Sequence, residues 1–191
     1  MSQRFQAELV TGPTAEPLTL AEAKKHLEIA ATDDSHDVHL QEAITDARQQ
    51  WEQDTDSVLC FQTWRVRVNG LPDRLALPKR PIHSITTIKY YDGNNTLQTL
   101  AGSYYQLHVN EIRHAYQVTL PATASRWDSW EITYKCGYSQ DQTLVPPVAK
   151  RALLLLVGYY FENRDMLVAD GTYSRGPYEA LVTKFMRSNY P

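Results

Sequence analysis

The chain has 191 residues, 42% hydrophobic and 21% charged, ordinary proportions for a globular protein that exclude wholesale disorder. That length is enough for a real core, as one domain or as one domain with a sizeable insertion. A formal net charge of −3 argues against a broadly basic nucleic-acid binder but leaves room for a local basic stripe.

Twelve Tyr and four Trp are a generous supply of side chains that serve interfaces as well as cores. The two cysteines, Cys60 and Cys136, are too few for a disulfide scaffold and too far apart for zinc-type spacing, so they read as reduced thiols in a cytosolic setting. The opening MSQRFQAELV lacks the apolar stretch of a signal peptide, and nothing in it suggests export.

In chain order, residues 1–17 read as an extended lead-in closed by the turn residues Gly12-Pro13 and Glu16-Pro17. Thr19 and Glu22 form a capping box, in which the hydroxyl takes the N–H three residues on and the carboxylate reaches back. The helix it starts puts Leu20, Ala23 and Leu27 on one face, leaves Lys24, Lys25 and Glu28 outside, and fades near Ala30. Asp34 or Ser35 is placed to cap a second helix that runs to about Asp54. Its stripe is Leu40, Ala43, Ile44, Ala47 and Trp51, and its other face carries Glu42, Asp46 and Arg48.

At Cys60 the period changes. In residues 63–69, Trp64, Val66 and Val68 share one strand face while Arg65 and Arg67 share the other. Leu75–Leu77 reads as a short strand, and residues 82–91 as a β-rich segment ending in the hairpin signal Asp92-Gly93-Asn94-Asn95. Further strands are expected at 104–109, 116–120 and 130–135. Pro147 fits the first position of a helix whose apolar run, 152–161, reaches about 15 Å, half of a bilayer core, and so does not span a membrane. A rod that is apolar on nearly every side must be covered by its own chain or by a neighbouring copy. Lys150 and Arg151 sit in its first turn, where the helix dipole disfavours cations. Residues 166–176 read as a mobile loop, and Pro177 starts a last helix with Tyr178, Leu181, Val182 and Phe185 along one side.

The class is therefore α+β: a helical body of three to four helices with an inserted small antiparallel β domain. The expected parts are 1–60, the N-terminal helical part; 61–137, the β insertion; 138–165, the central helix; and 166–191, a terminal loop and helix.

The sequence offers little chemistry. Asp33-Asp34-Ser35-His36-Asp37-Val38-His39 holds carboxylates and imidazoles that could gather a divalent ion, but acids at a helix start are the plainer reading. The six histidines show no HExxH-type spacing, and GxSxG, P-loop and GxGxxG sequences are absent. No catalytic residue, metal or cofactor is assigned, and the chain is read as not an enzyme. Arg65, Arg67, Arg74, Lys79 and Arg80 put positive charge along the β insertion. They could face a phosphate backbone or an acidic partner, although alternate strand positions are polar wherever one sheet face is solvated.

Three stretches together resemble the head–tail connector (adaptor) proteins of long-tailed bacteriophages. The first is Pro17 to Leu27 with Asp33-Asp34 and a helix holding Ile44, Ala47 and Glu52; the second is Gln62-Thr63-Trp64, Leu77-Pro78, Pro81-Ile82, Ser84-Ile85 and Tyr90-Tyr91-Asp92. The third is Ile132-Thr133-Tyr134, Gly137-Tyr138 and Pro146-Pro147 through Tyr160-Phe161-Glu162-Asn163-Arg164. Residues from Met166 onward match no pattern of that family.

The resemblance implies a non-catalytic virion protein at the neck, assembled in the host cytoplasm. It would form a ring of about twelve copies between portal protein and tail or tail-completion proteins. DNA would pass through its channel without tight binding, and no membrane is involved. On this footing the aromatic tail residues Tyr173, Tyr178, Leu181, Phe185 and Tyr190 are candidates for portal docking. Lys150, Arg151, Glu42, Asp46 and Trp51 are candidates for inter-subunit or helix packing, and the five basic residues of the insertion for a channel- or partner-facing surface. The alternatives are another neck or tail-completion protein, or a small nucleic-acid-binding module using the arginine-bearing β face.

Overall fold

The computed structural model describes residues 5–163 and 176–189. The chain divides into two compact units: Phe61–Tyr138 together with the strand preceding Pro13, and Thr14–Cys60 together with the chain from Ser139 onward. Among the described residues there are four α-helices and two antiparallel sheets, the expected α+β class.

The helical unit contains α1 (Leu20–His26), α2 (Asp37–Thr55), α3 (Pro147–Glu162) and α4 (Gly176–Asn189). The capping box forms as read, with the Thr19 hydroxyl accepting from Glu22 N–H and Glu22 accepting from Thr19 N–H. The cap of α2 differs from expectation. Asp33 accepts from both the N–H and the hydroxyl of Ser35, so that hydroxyl is turned away from the helix, which starts at His36 without a side-chain cap. Lys24 also differs, being buried rather than outside: its ammonium meets Asp37 in the first turn of α2 at 2.5 Å.

α2 buries Leu40, Ala43, Ile44, Ala47 and Trp51, the stripe read from its spacing, and stops at Asp56 in the left-handed region. Pro147 opens α3, which buries Ala149, Ala152, Leu153, Leu156 and Val157. Leu154, Leu155 and Tyr159 to Phe161 remain half-buried. The points where the chain leaves and re-enters this unit, Cys60 and Ser139, are bridged to each other.

The β unit holds a five-stranded sheet in the order β1-β2-β8-β4-β5 and a three-stranded sheet β3-β7-β6. The extended lead-in supplies β1 (Phe5–Thr11), an edge strand paired with β2 (Gln62–Val68). β8 (Trp130–Cys136) is central, with Trp130, Ile132, Tyr134 and Cys136 all buried on one face. β4 (Ile82–Tyr91) flanks it with two register shifts, and Asp92–Asn95 turns the chain into β5 (Leu97–Thr99). β3 is Arg74–Ala76.

One expected strand is misplaced. Residues 116–120 are irregular, and the partner of β6 (Tyr105–His108) is instead β7 (Glu111–His114), joined by the two-residue turn Val109-Asn110. A β-branched residue is a poor turn signal, and Val109 adopts φ 56° there. Asn110 secures the turn from outside: its carbonyl accepts from Leu77 N–H and its side chain from Ile82 N–H.

Because the Val109 side chain is 72% exposed, little packing opposes relief of its backbone strain. Val109→Asn is expected to stabilise the protein by about 1 kcal/mol, read as a raised urea midpoint at unchanged slope.

Candidate functional site

The terminal aromatic residues are the first candidates for contact with a partner. In the structure Tyr178 and Phe185, seven positions apart on α4, are buried against Trp51 of α2, with ring centroids 6.5 and 4.9 Å away. The Tyr178 hydroxyl donates to Asp54 at 2.7 Å. Leu181 is half-buried, whereas Tyr173 and Tyr190 lie outside the described residues. Trp51 is thus a core side chain whose cover is α4, and α4 is held to the body by two aromatic rings and a hydrogen bond.

The cations at the start of α3 have different fates. Lys150 donates to Glu22 at 2.9 Å, so the acid that closes the capping box of α1 also offsets the awkward charge on α3. Burial pushes the Glu22 carboxyl up, but the Thr19 and Lys150 hydrogen bonds outweigh it and hold the group below its ordinary value. Arg151 is exposed and has no ion pair among the described residues. Glu42 and Asp46 are exposed as well, and neither meets Lys150 or Arg151; Glu42 lies 3.9 Å from the His39 ring nitrogen.

The basic residues of the β unit form no single cluster. Arg65 and Arg67 stand side by side on β2, between Glu8 of β1 and Glu131 of β8. The four contacts measure 3.1 to 3.9 Å, giving a ladder of two cations and two anions whose formal charge cancels. Phosphate binding draws on uncompensated cations, and this pair offers none. Arg74 is exposed on β3, opposite Arg113, while the Lys79 ammonium sits 5.7 Å over the Trp64 ring and Arg80 is half-buried.

The acidic and imidazole cluster is built into the helix junction. Asp33 is engaged by Ser35 and Asp37 by Lys24, while His36 and His39 pack on Phe161 at 5.3 and 5.8 Å. Among the described residues no group of three His, Cys, Asp or Glu side chains is placed to hold a metal ion. Both thiols are fully buried. Burial, with Glu16 and Glu52 adding to it, pushes the Cys60 thiol up to about 12, so it stays protonated and is no nucleophile at neutral pH.

Two constellations lie beyond what the sequence reading found. In the helical unit Arg48 is 7% exposed; its Nε donates to Glu16 at 2.8 Å and its Nη1 to Glu52 at 3.2 Å. The i,i+4 spacing of Arg48 and Glu52 was legible; Glu16, thirty-two positions away, was not. In the β unit Arg126 grips Asp128 through two hydrogen bonds of 2.5 and 2.7 Å, donates to Asn95 at 2.9 Å, and lies 3.7 Å over the Tyr91 ring. No local signal marks that latch, which pins the irregular segment before β8 to the β4–β5 hairpin.

The fold has counterparts among solved structures. A chain in the neck of an empty gene transfer agent (GTA) particle, computed with C6 symmetry, superposes with a TM-score of 0.77 at 20% identity, over 94% of each chain. A chain of the virion of a native gene transfer agent particle gives 0.75 at 20% identity, again over 94% of each. In the neck of the native particle, computed with C12 symmetry, the score is 0.69 at 21% identity over the same shares. No family model and no curated protein matches the chain. At these identities the likeness establishes the fold, and it is the fold that the resemblance to phage connectors implied.

Two substitutions test the polar contacts. Arg48→Met should cost about 3–5 kcal/mol in urea unfolding, because it leaves Glu16 and Glu52 facing each other without their cation. Glu22→Gln should cost about 1 kcal/mol at neutral pH through loss of the charged cap. Since the Glu22 pKa is lowered by folding, its contribution is present above the unfolded value and lost as pH falls through the folded one. The stability difference between wild type and Glu22→Gln should therefore close in acid.

Proposed function

We propose that the chain is a structural subunit of a phage-type head–tail connector, a ring at the neck between portal and tail through which DNA passes. The observation that carries this reading is the fold shared with neck chains of gene transfer agent particles over 94% of both chains. Symmetry of the kind used for those necks suits one chain repeated around an axis, with heterologous contacts that close by rotation. The half-buried residues of α3, Leu154 and Leu155 with Tyr159 to Phe161, supply apolar surface for such contacts.

The cancelled Arg65–Arg67 ladder supports a wall that lets phosphates slide by, and it tells against the nucleic-acid-binding alternative. In this reading the protein performs no catalytic step and acts through its surfaces. Portal docking through the 166–191 tail belongs to the same reading. With Tyr178 and Phe185 already packed on Trp51, α4 serves as a platform for that contact rather than as a source of inserted rings.

Native mass measurement of the purified protein, alone over a concentration series and with its portal, checks this. The expected product is a closed multiple of the 21.9 kDa chain, on the portal or at high concentration. A species that stays at 21.9 kDa under every one of these conditions would overturn the assignment.

A further inference from the structure

Trp127 is 59% exposed, although indole is among the side chains that gain most from burial. Its neighbours in sequence hold it there. Arg126 and Asp128 are bonded to each other, and Arg126 also stacks on Tyr91 and donates to Asn95. Upstream, Ala124 N–H donates to the Tyr91 carbonyl and Thr123 bridges Asp92. The backbone that carries Trp127 is therefore already ordered, so part of the ordering cost that binding usually imposes has been met.

The helical unit carries a cavity of about 690 Å³ between α1 and the turn leading to α2. That volume lies within the roughly 300–1,000 Å³ range of sites that bury small ligands, so an indole fits. Its walls are mainly apolar, from Leu20, Ala21, Ile29 and Ala31. Lys24 and Asp37 line it too, as a pair whose charges offset each other at 2.5 Å. Lys25 also lines the cavity, is exposed, and has no ion pair among the described residues. A free ammonium beside an apolar recess is electrostatically complementary to an indole face.

We infer that Trp127 of one copy inserts into the Lys25-bearing cavity of the next copy, as the knob and hole of the ring contact. This rests on the connector reading and names the partner surface within it. Knob and hole are different surfaces of one chain, so the contact is heterologous, the kind that forms a ring when its rotation closes. Tryptophan is among the residue types that dominate interface energetics.

The test uses the full chain and sedimentation velocity, with and without portal. Trp127→Ala removes an exposed side chain, and should leave the circular dichroism spectrum unchanged while weakening association about 30-fold or more. Ala21→Trp fills the hole and should weaken association likewise. Mixed together, the two variants retain one good knob and one good hole, so they should form pairs of unlike chains that grow no further. Assembly of Trp127→Ala as tight as wild type would overturn the knob while leaving the ring in place, as would a mixture that gives no pairs. If Ala21→Trp does not fold, the Trp127→Ala result decides alone. Wild type that never associates, even on portal, overturns the ring reading and this contact with it.

Discussion

A guanidinium taken out of water must find carboxylates that surround it, and in the helical unit that demand falls on Arg48. Burial alone would depress its proton affinity; Glu16 and Glu52 reverse the effect and raise it. The partners come from separate places: Glu16 from the approach to α1, Glu52 from one turn along α2. Each carboxylate has a further task, Glu52 accepting from Leu59 N–H just beyond α2 and Glu16 accepting at its backbone carbonyl from Gln142 in the approach to α3. One buried cation therefore fixes the relative positions of three segments that the sequence scatters over more than a hundred residues. Hydrophobic side chains in place of all three charged groups can match the triad in stability, but they would set no such register among these segments.

The β unit solves the complementary problem of covering one sheet face and wetting the other. Strict alternation on β8 buries Trp130, Ile132, Tyr134 and Cys136 and turns Glu131, Thr133 and Lys135 outward. On the outward face charge is balanced locally, by Glu8 and Glu131 around Arg65 and Arg67. The inward face is closed in part by a polar contact, the Tyr134 hydroxyl accepting from Lys79 N–H at 3.2 Å. A surface built this way is hydrophilic without being strongly attractive to polyanions. This is a physical requirement for any wall along which nucleic acid must move rather than stay.

The fold is legible in the sequence where local chemistry dictates local structure. Thr19 and Glu22 announce a capping box, Pro147 a helix start, Asp92 to Asn95 a hairpin, and the stripe from Leu40 to Trp51 a packed helix. The fold is not legible where the deciding partner is distant or the residue breaks its own rule. Val109 turns the chain despite its branched side chain, so β7 begins five residues before the strand expected at 116–120. Lys24 looked like a surface lysine because Asp37, which permits its burial, sits on another helix. Tyr178 and Phe185 show a deeper ambiguity. Aromatic side chains at helical spacing suit a core and an interface equally, and only the presence of Trp51 opposite them decides which.

The same ambiguity bears on the apolar run of α3, which had to be covered by its own chain or by a neighbouring copy. Five of its residues are buried, among them Leu153, Leu156 and Val157, while Leu154 and Leu155 stay half-covered. The helix thus gains most of its burial within one chain and leaves a smaller apolar remainder half-covered. That division suits a subunit that must fold before it assembles. A rod covered only by sister molecules would tie folding to concentration, and each newly made chain would expose it to misassociation. Keeping most of the burial internal lets the chain fold without waiting for a partner.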